Sequence, residues 1–154
     1  MQTGGHDGSA RTLAAPRGAG PAPDLLAELT LCADADSLGL ARLATLHVAG
    51  LLGVPVGRLA ELRLAVNEAC ALLFHAPASA VAEGVGAAAF LHLRFERQRG
   101  RLCITVRGSA PYRSPHPEEI GWILLRALVD EVRMDTAGGI TTLTLCEPLP
   151  QPPR

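Results

Sequence analysis

The stretch ELRLAVNEACALLFHA, residues 61–76, decides how the rest of the chain is read. Leu62, Val66, Ala69 and Leu73 step by three and four, and Leu59 continues the series backwards. That spacing predicts a helix from about Pro55 to His75. One acid interrupts its apolar run. Glu68 stands four residues after Leu64 and four before Leu72, so the three share a helical face. An ionised carboxylate among apolar neighbours is costly unless it is hydrogen-bonded or paired, and desolvation raises its pKa. Glu68 is therefore a candidate general base. A partly solvated face, or an ion pair with Arg63 or another arginine, would explain it without chemistry.

Working outward, LAELTLCA (26–33) places Ala27, Leu29 and Leu31 in alternation and reads as a strand. DSLGLARLATLHVAGLLG (36–53) follows as a helix that Asp36 or Ser37 can cap and that Gly53, before Pro55, can end. After residue 76, PASAVAEGVG (77–86) reads as a loop. AAAFLHLRFERQ (87–98) and RLCITVRG (101–108) form a hairpin joined at Arg99-Gly100, with Leu91, Leu93, Phe95, Leu102, Ile104 and Val106 on its buried face. SAPYRSPHP (109–117) is irregular. PEEIGWILLRALVDEV (117–132) opens with a proline and two acids, a good helix start. GGITTLTLC (138–146) is a last strand after a Gly-Gly turn, with Thr141, Leu143 and Leu145 alternating.

The order strand, helix, helix, strand, strand, helix, strand predicts an α+β two-layer sandwich: one mostly antiparallel sheet with helices packed on one face. Residues 1–23, rich in Gly, Pro and Ala, read as a flexible tail, residues 24–148 as the folded domain, and residues 149–154 as a Pro-rich tail.

A length of 154 residues suits a single domain. Aromatic residues are only 3% of the chain, so the core must be built from Ala, Leu and Val. A net charge of -1 argues against direct nucleic-acid binding, which calls for a basic face. All 14 basic residues are arginine, which together with the Ala and Gly richness reads as coding bias rather than function. No apolar run reaches the ~20 residues of a bilayer span, and the N-terminus lacks an apolar signal core. Both point to a cytoplasmic protein. Cys32, Cys70, Cys103 and Cys146 are scattered without metal-ligand spacing, so they read as core thiols and no metal site is expected. Trp122 suits core packing. Asp130 and Glu131 are expected near the end of the last helix, paired with Arg126 or Arg133. His47 and His92 read as solvated or satisfied, and Arg94, Arg97, Arg99 and Arg101 as a charged edge that discourages aggregation.

LRLAVNEACALLFHA resembles the N-box of GHKL-type (Bergerat-like) ATPases, most closely that of the bacterial anti-sigma serine kinases of the RsbW and SpoIIAB type, roughly LxxAVxEAxxNAxxH. IGWILLRALVDEVRM and GGITTLTL are similar to that family's closing helix and strand, and the resemblance runs over residues 25–147. It implies a protein that sequesters an alternative sigma factor of a stress or development response. It also implies ATP with magnesium, a STAS-type anti-anti-sigma partner that the kinase phosphorylates, and commonly a homodimer. By the resemblance Glu68, Leu72, Arg107, Gly108, Gly121 and Thr141 fall at the ATP site, Glu68 as the base, and Arg42 falls in the partner-contact region of the first helix.

The chain departs from the family pattern at that site. Leu72 stands where the family has a magnesium-binding Asn, and an isobutyl group offers no oxygen ligand. RGSAP (107–111) stands where the family has DxGxG, so Arg107, a donor-only cation, replaces an adenine acceptor. His75 falls one position short of the family's His. These departures imply a sigma-binding protein with a weakened or lost ATP site; whether it is an enzyme stays open, the motif losses leaning against kinase activity. An active serine kinase of the same family and a pseudo-ATPase adaptor for another regulator are the alternatives.

Overall fold

The structure is a computed structural model that describes residues 22–74, 90–109 and 118–151. Among the described residues it forms β1 (Asp24–Cys32), α1 (Ser37–Leu51), α2 (Val56–Phe74), β2 (Phe90–Gln98), β3 (Arg101–Ser109), α3 (Ile120–Leu128), β4 (Glu131–Ala137) and β5 (Ile140–Pro148). The five strands make one sheet in the order β1-β2-β3-β5-β4, and every neighbouring pair is antiparallel.

Strand alternation sorts the two faces of that sheet. Leu91, Leu93, Phe95, Leu102, Ile104, Val106, Leu143 and Leu145 are buried, while His92, Arg94, Thr105, Thr142 and Thr144 between them are only half-buried. The helices cover the first set. Ala41 and Ala49 of α1 and Leu62, Ala65, Val66 and Ala69 of α2 complete the core, and the many alanines let helix and sheet approach closely where aromatic side chains are scarce. Helix α2 lies centrally, touching α1, α3 and strands β2, β3 and β5. The architecture is the two-layer α+β sandwich that the element order predicts.

Turn chemistry explains the connections. Arg99 and Gly100 have φ of 51° and 73°, and Gly138 and Gly139 have 59° and 75°. Two consecutive residues at positive φ give a hairpin loop whose twist matches the flanking strands. Gly53, at φ 74°, closes α1, and the amide of Val54 bonds back to the Ala49 carbonyl at 3.1 Å. The first turn of α1 is held by Asp34, not by Asp36 or Ser37: its Oδ1 accepts the Ser37 amide at 2.7 Å, whereas Asp36 makes no side-chain cap bond.

The C-terminal half differs from the sequence reading. The helix expected over residues 117–132 ends at Leu128, Val129 is extended (φ -128°, ψ 156°), and residues 131–137 form an additional strand, β4. Helical and strand periods overlap in LVDEVRM, because Leu128 and Val132 lie four apart while Val132 and Met134 alternate. The edge of β5 decides for the strand: β4 pairs with it from Glu131 to Ala137, and Val132 and Met134 pack on the core. Asp130 and Glu131 consequently lie beyond the helix, where both pair with Arg101 of β3, and Glu131 also with Arg133.

Two further expectations change. Cys103 and Cys146 are not core thiols but a cross-strand disulfide between β3 and β5; Cys32 is exposed and only Cys70 is a buried thiol. The arginines near the hairpin are not simply solvated: Arg94 pairs with Glu28 and Glu96, and Arg97 with Asp24 at 2.6 Å. After β5, the Leu149 amide donates to the Gly100 carbonyl at 2.9 Å and its side chain packs against the core.

Candidate functional site

Helix α2 turns Glu68 and Leu72, one turn apart, toward the first turn of α3. A Cβ on Gly121 would lie 3.4 Å from Leu72 Cδ2 and 3.7 Å from Glu68 Oε2, so the start of α3 rests directly on this pair. Both side chains are half-buried. Glu68 Oε1 lies at the long distance of 3.5 Å from Asn67 Nδ2, and among the described residues it forms no ion pair with an arginine. The acid in the apolar run therefore lies on a partly solvated face, against α3.

One step along α2, Leu73 meets β3. A Cβ on Gly108 would come 3.1 Å from Leu91 Cδ2 and 3.3 Å from Leu73 Cβ, so this glycine lets helix and strand close on each other. Thr141 of β5 is in register with Gly108, is buried, and lies 3.0 Å oxygen to oxygen from the Thr136 hydroxyl. Glu68, Leu72, Gly108, Gly121 and Thr141 are thus linked by contact or register at one end of the α2–sheet interface. Arg107 is not. It is exposed, between His92 and Thr142 in register, at a strand position that alternates with buried Val106 and Gly108. His75, Ala110 and Pro111 lie outside the described residues.

Arg42 belongs to a second place. Its Nη1 donates to Asn67 Oδ1 at 2.8 Å, which ties α1 to α2 and holds the guanidinium at a groove of about 660 Å³ lined also by Arg63, Leu64 and Leu128. Elsewhere on its surface α1 leaves Leu40 and Leu43 exposed. Asn67 was missed in the sequence, although a primary amide next to an acid inside an apolar helix is a signal for a buried polar contact. The ion pair of Arg58 with Glu147 was missed as well. Arg58 Nε donates to Glu147 Oε1 at 2.8 Å, Glu147 Oε2 accepts the Asp130 amide at 3.2 Å, and Arg58 also reaches the Leu128 carbonyl at 3.2 Å. Hydrogen bonding to Glu147, above all else, raises the pKa of Arg58 above its ordinary value. The signal was present in β5, where Glu147 continues the core-facing series Leu143, Leu145.

Among the described residues no cluster of His, Cys, Asp and Glu is arranged to hold a metal ion, and no helix is long and apolar enough to cross a membrane.

The comparisons agree with this architecture. The RsbU and RsbW domains of a Mycobacterium tuberculosis protein have a solved structure that matches with a TM-score of 0.59 at 18% identity, over 84% of this chain. That match spans 34% of the other chain, so this protein covers about a third of its length. No curated protein matches the chain. The family model for the histidine kinase-like ATPase domain matches residues 31–146, from the end of β1 through most of β5. With that model covering most of its length, and with a fold that matches part of the RsbU and RsbW structure, the chain belongs to the histidine kinase-like ATPase domain family, as its N-box resemblance implies.

Proposed function

We propose that this chain is an anti-sigma regulatory protein of the RsbW kind: a cytoplasmic binding protein that sequesters an alternative sigma factor and does not phosphorylate. The observation that carries the reading is the contact of Leu72 with Gly121 beside Glu68. Magnesium takes oxygen ligands in tight octahedral geometry. The position that would supply one holds an isobutyl group packed against the next helix, and Arg107 lies on the far side of the strand. A magnesium–nucleotide complex does not fit this set of side chains, so no chemical step is assigned to Glu68. What remains is a binding surface. Arg42, held in place by Asn67 at a groove that exposed Leu64 also lines, suits a partner that brings carboxylates and apolar side chains together.

Two measurements test the reading. Purified protein is titrated with alternative sigma factors, alone and with STAS-domain proteins, and Arg42→Glu is expected to weaken capture about tenfold or more by reversing a contact charge. Titration with labelled ATP and magnesium is expected to show no saturable binding at millimolar nucleotide. Saturable binding with transfer to a STAS-domain serine would establish the kinase instead. A complex with a STAS-domain protein and none with any sigma factor would establish the adaptor.

A further inference from the structure

Cys103 and Cys146 face each other across β3 and β5 with their sulfurs bonded. Their Cα atoms are 4.3 Å apart, the close approach of a non-hydrogen-bonded antiparallel pair, in which side chains lie nearest each other. Their neighbours in sequence, Leu102, Ile104, Leu145 and Glu147, are buried on the helical side, so the sulfur pair lies on the face of the sheet opposite the helices. The two residues differ in exposure: Cys103 is 8% exposed, whereas Cys146 is half-buried. The other cysteines are placed for neither role. Cys70 is wholly buried, and burial pushes its thiol up to about 12. Cys32 is exposed at the end of β1, with Phe90 opposite it.

We propose that Cys103–Cys146 is a thiol–disulfide exchange site for low-molecular-weight thiols, and that Cys146 is the sulfur that receives them. An incoming thiolate bonds to Cys146 Sγ as the bond to Cys103 Sγ breaks, and Cys103 leaves as a thiolate and takes up a proton. A second thiolate attacks the small-molecule sulfur of this mixed disulfide. Cys146 then leaves and is protonated, and the small disulfide departs. Two small thiols are oxidised and one protein disulfide is reduced; an excess of the small disulfide drives the same steps in reverse.

The exchange acts on one end of the β3–β5 ladder. Glu147, next to Cys146, holds Arg58 of α2 and the Asp130 amide, and Arg101, two residues before Cys103, holds Asp130 and Glu131. The ladder itself runs in register from Arg101 to Ser109, so the fold survives opening of the crosslink while this end opens locally more often.

The test uses the full chain carrying Cys32→Ser, which removes the other exposed thiol. The protein is equilibrated in glutathione buffers of graded redox ratio, quenched in acid, alkylated and mapped by mass spectrometry. Disulfide and dithiol forms are expected to interconvert across the series. With oxidised glutathione, Cys103→Ser is expected to carry one glutathione on Cys146, and Cys146→Ser to carry none on Cys103. Hydrogen exchange at residues 102–104 and 145–147 is expected to be roughly tenfold faster in the dithiol form. Thiols that stay free at the most oxidising ratio, a disulfide that survives the most reducing one, or equal glutathione uptake by the two variants would overturn the proposal. Equal exchange rates in the two forms would overturn its local-opening part.

Discussion

Gly108 has Leu91 on one side and Leu73 on the other, each too near for an added methyl group to be accepted without movement. Both obstacles are core side chains, so Gly108→Ala is expected to destabilise the fold by about 1–3 kcal/mol through overpacking, read as a lower urea midpoint at unchanged slope. This glycine falls within the degenerate nucleotide loop of the resemblance, yet its surroundings give it a packing reason of its own. Asp34 is the second residue whose environment makes a measurable demand. The Ser37 backbone amide, and then the Ser37 hydroxyl, hold its carboxyl below the ordinary value of 3.8. A depressed acid stabilises the fold above its unfolded pKa, and that contribution is lost as pH falls through the folded one. The first turn of α1 is therefore expected to loosen only below the usual carboxylate range. An NMR titration should give Asp34 a midpoint under 3.8, and Ser37 amide exchange should accelerate over the same interval.

At the scale of elements, Arg58 and Glu147 decide how α2, α3 and β5 meet. Removing the acid leaves an Arg58 that solvent can partly reach, at 37% side-chain exposure, and an Asp130 amide without its acceptor. Glu147→Ala is expected to cost about 1–3 kcal/mol by chemical denaturation, well short of a fully buried ion pair. Arg58→Ala should cost a similar amount, and the double variant less than the sum, because both changes remove the same contact. Elements were legible in the sequence where period and turn chemistry agreed. The β2–β3 hairpin followed from its alternation and from Arg99-Gly100, and α2 followed from its stepped apolar residues. Strand β4 was not legible, because Leu128 and Val132 satisfy a helical period while Val132 and Met134 satisfy a strand's, and the choice is made by the unpaired edge of β5. The site divides the same way. One helical turn already puts Glu68 beside Leu72, whereas the approach of Gly121, the outward placement of Arg107 and the bond from Arg42 to Asn67 depend on how separate elements pack.

For the molecule as a whole, the covalent link between Cys103 and Cys146 spans 43 residues of chain, including all of α3 and β4. Closing a loop of that size restricts the unfolded chain by about 4 kcal/mol in the chain-entropy model. Pre-reduced protein is accordingly expected to melt roughly 10 °C lower than oxidised protein in a thermal scan, and Cys103→Ser should match the reduced form. A sheet whose first strand pairs with its second across two helices, and whose third pairs with its fifth, depends on such non-local closure more than a helical bundle would. The strand order carries a consequence for synthesis. Strand β5 is made after the other four described strands yet lies between β3 and β4, so the middle of this sheet is completed only once it emerges from the ribosome. Until it emerges, β3 offers a bare edge and β4 has nothing to lie against. This domain should therefore be most vulnerable to proteases and most attractive to chaperones during synthesis just before β5 is free.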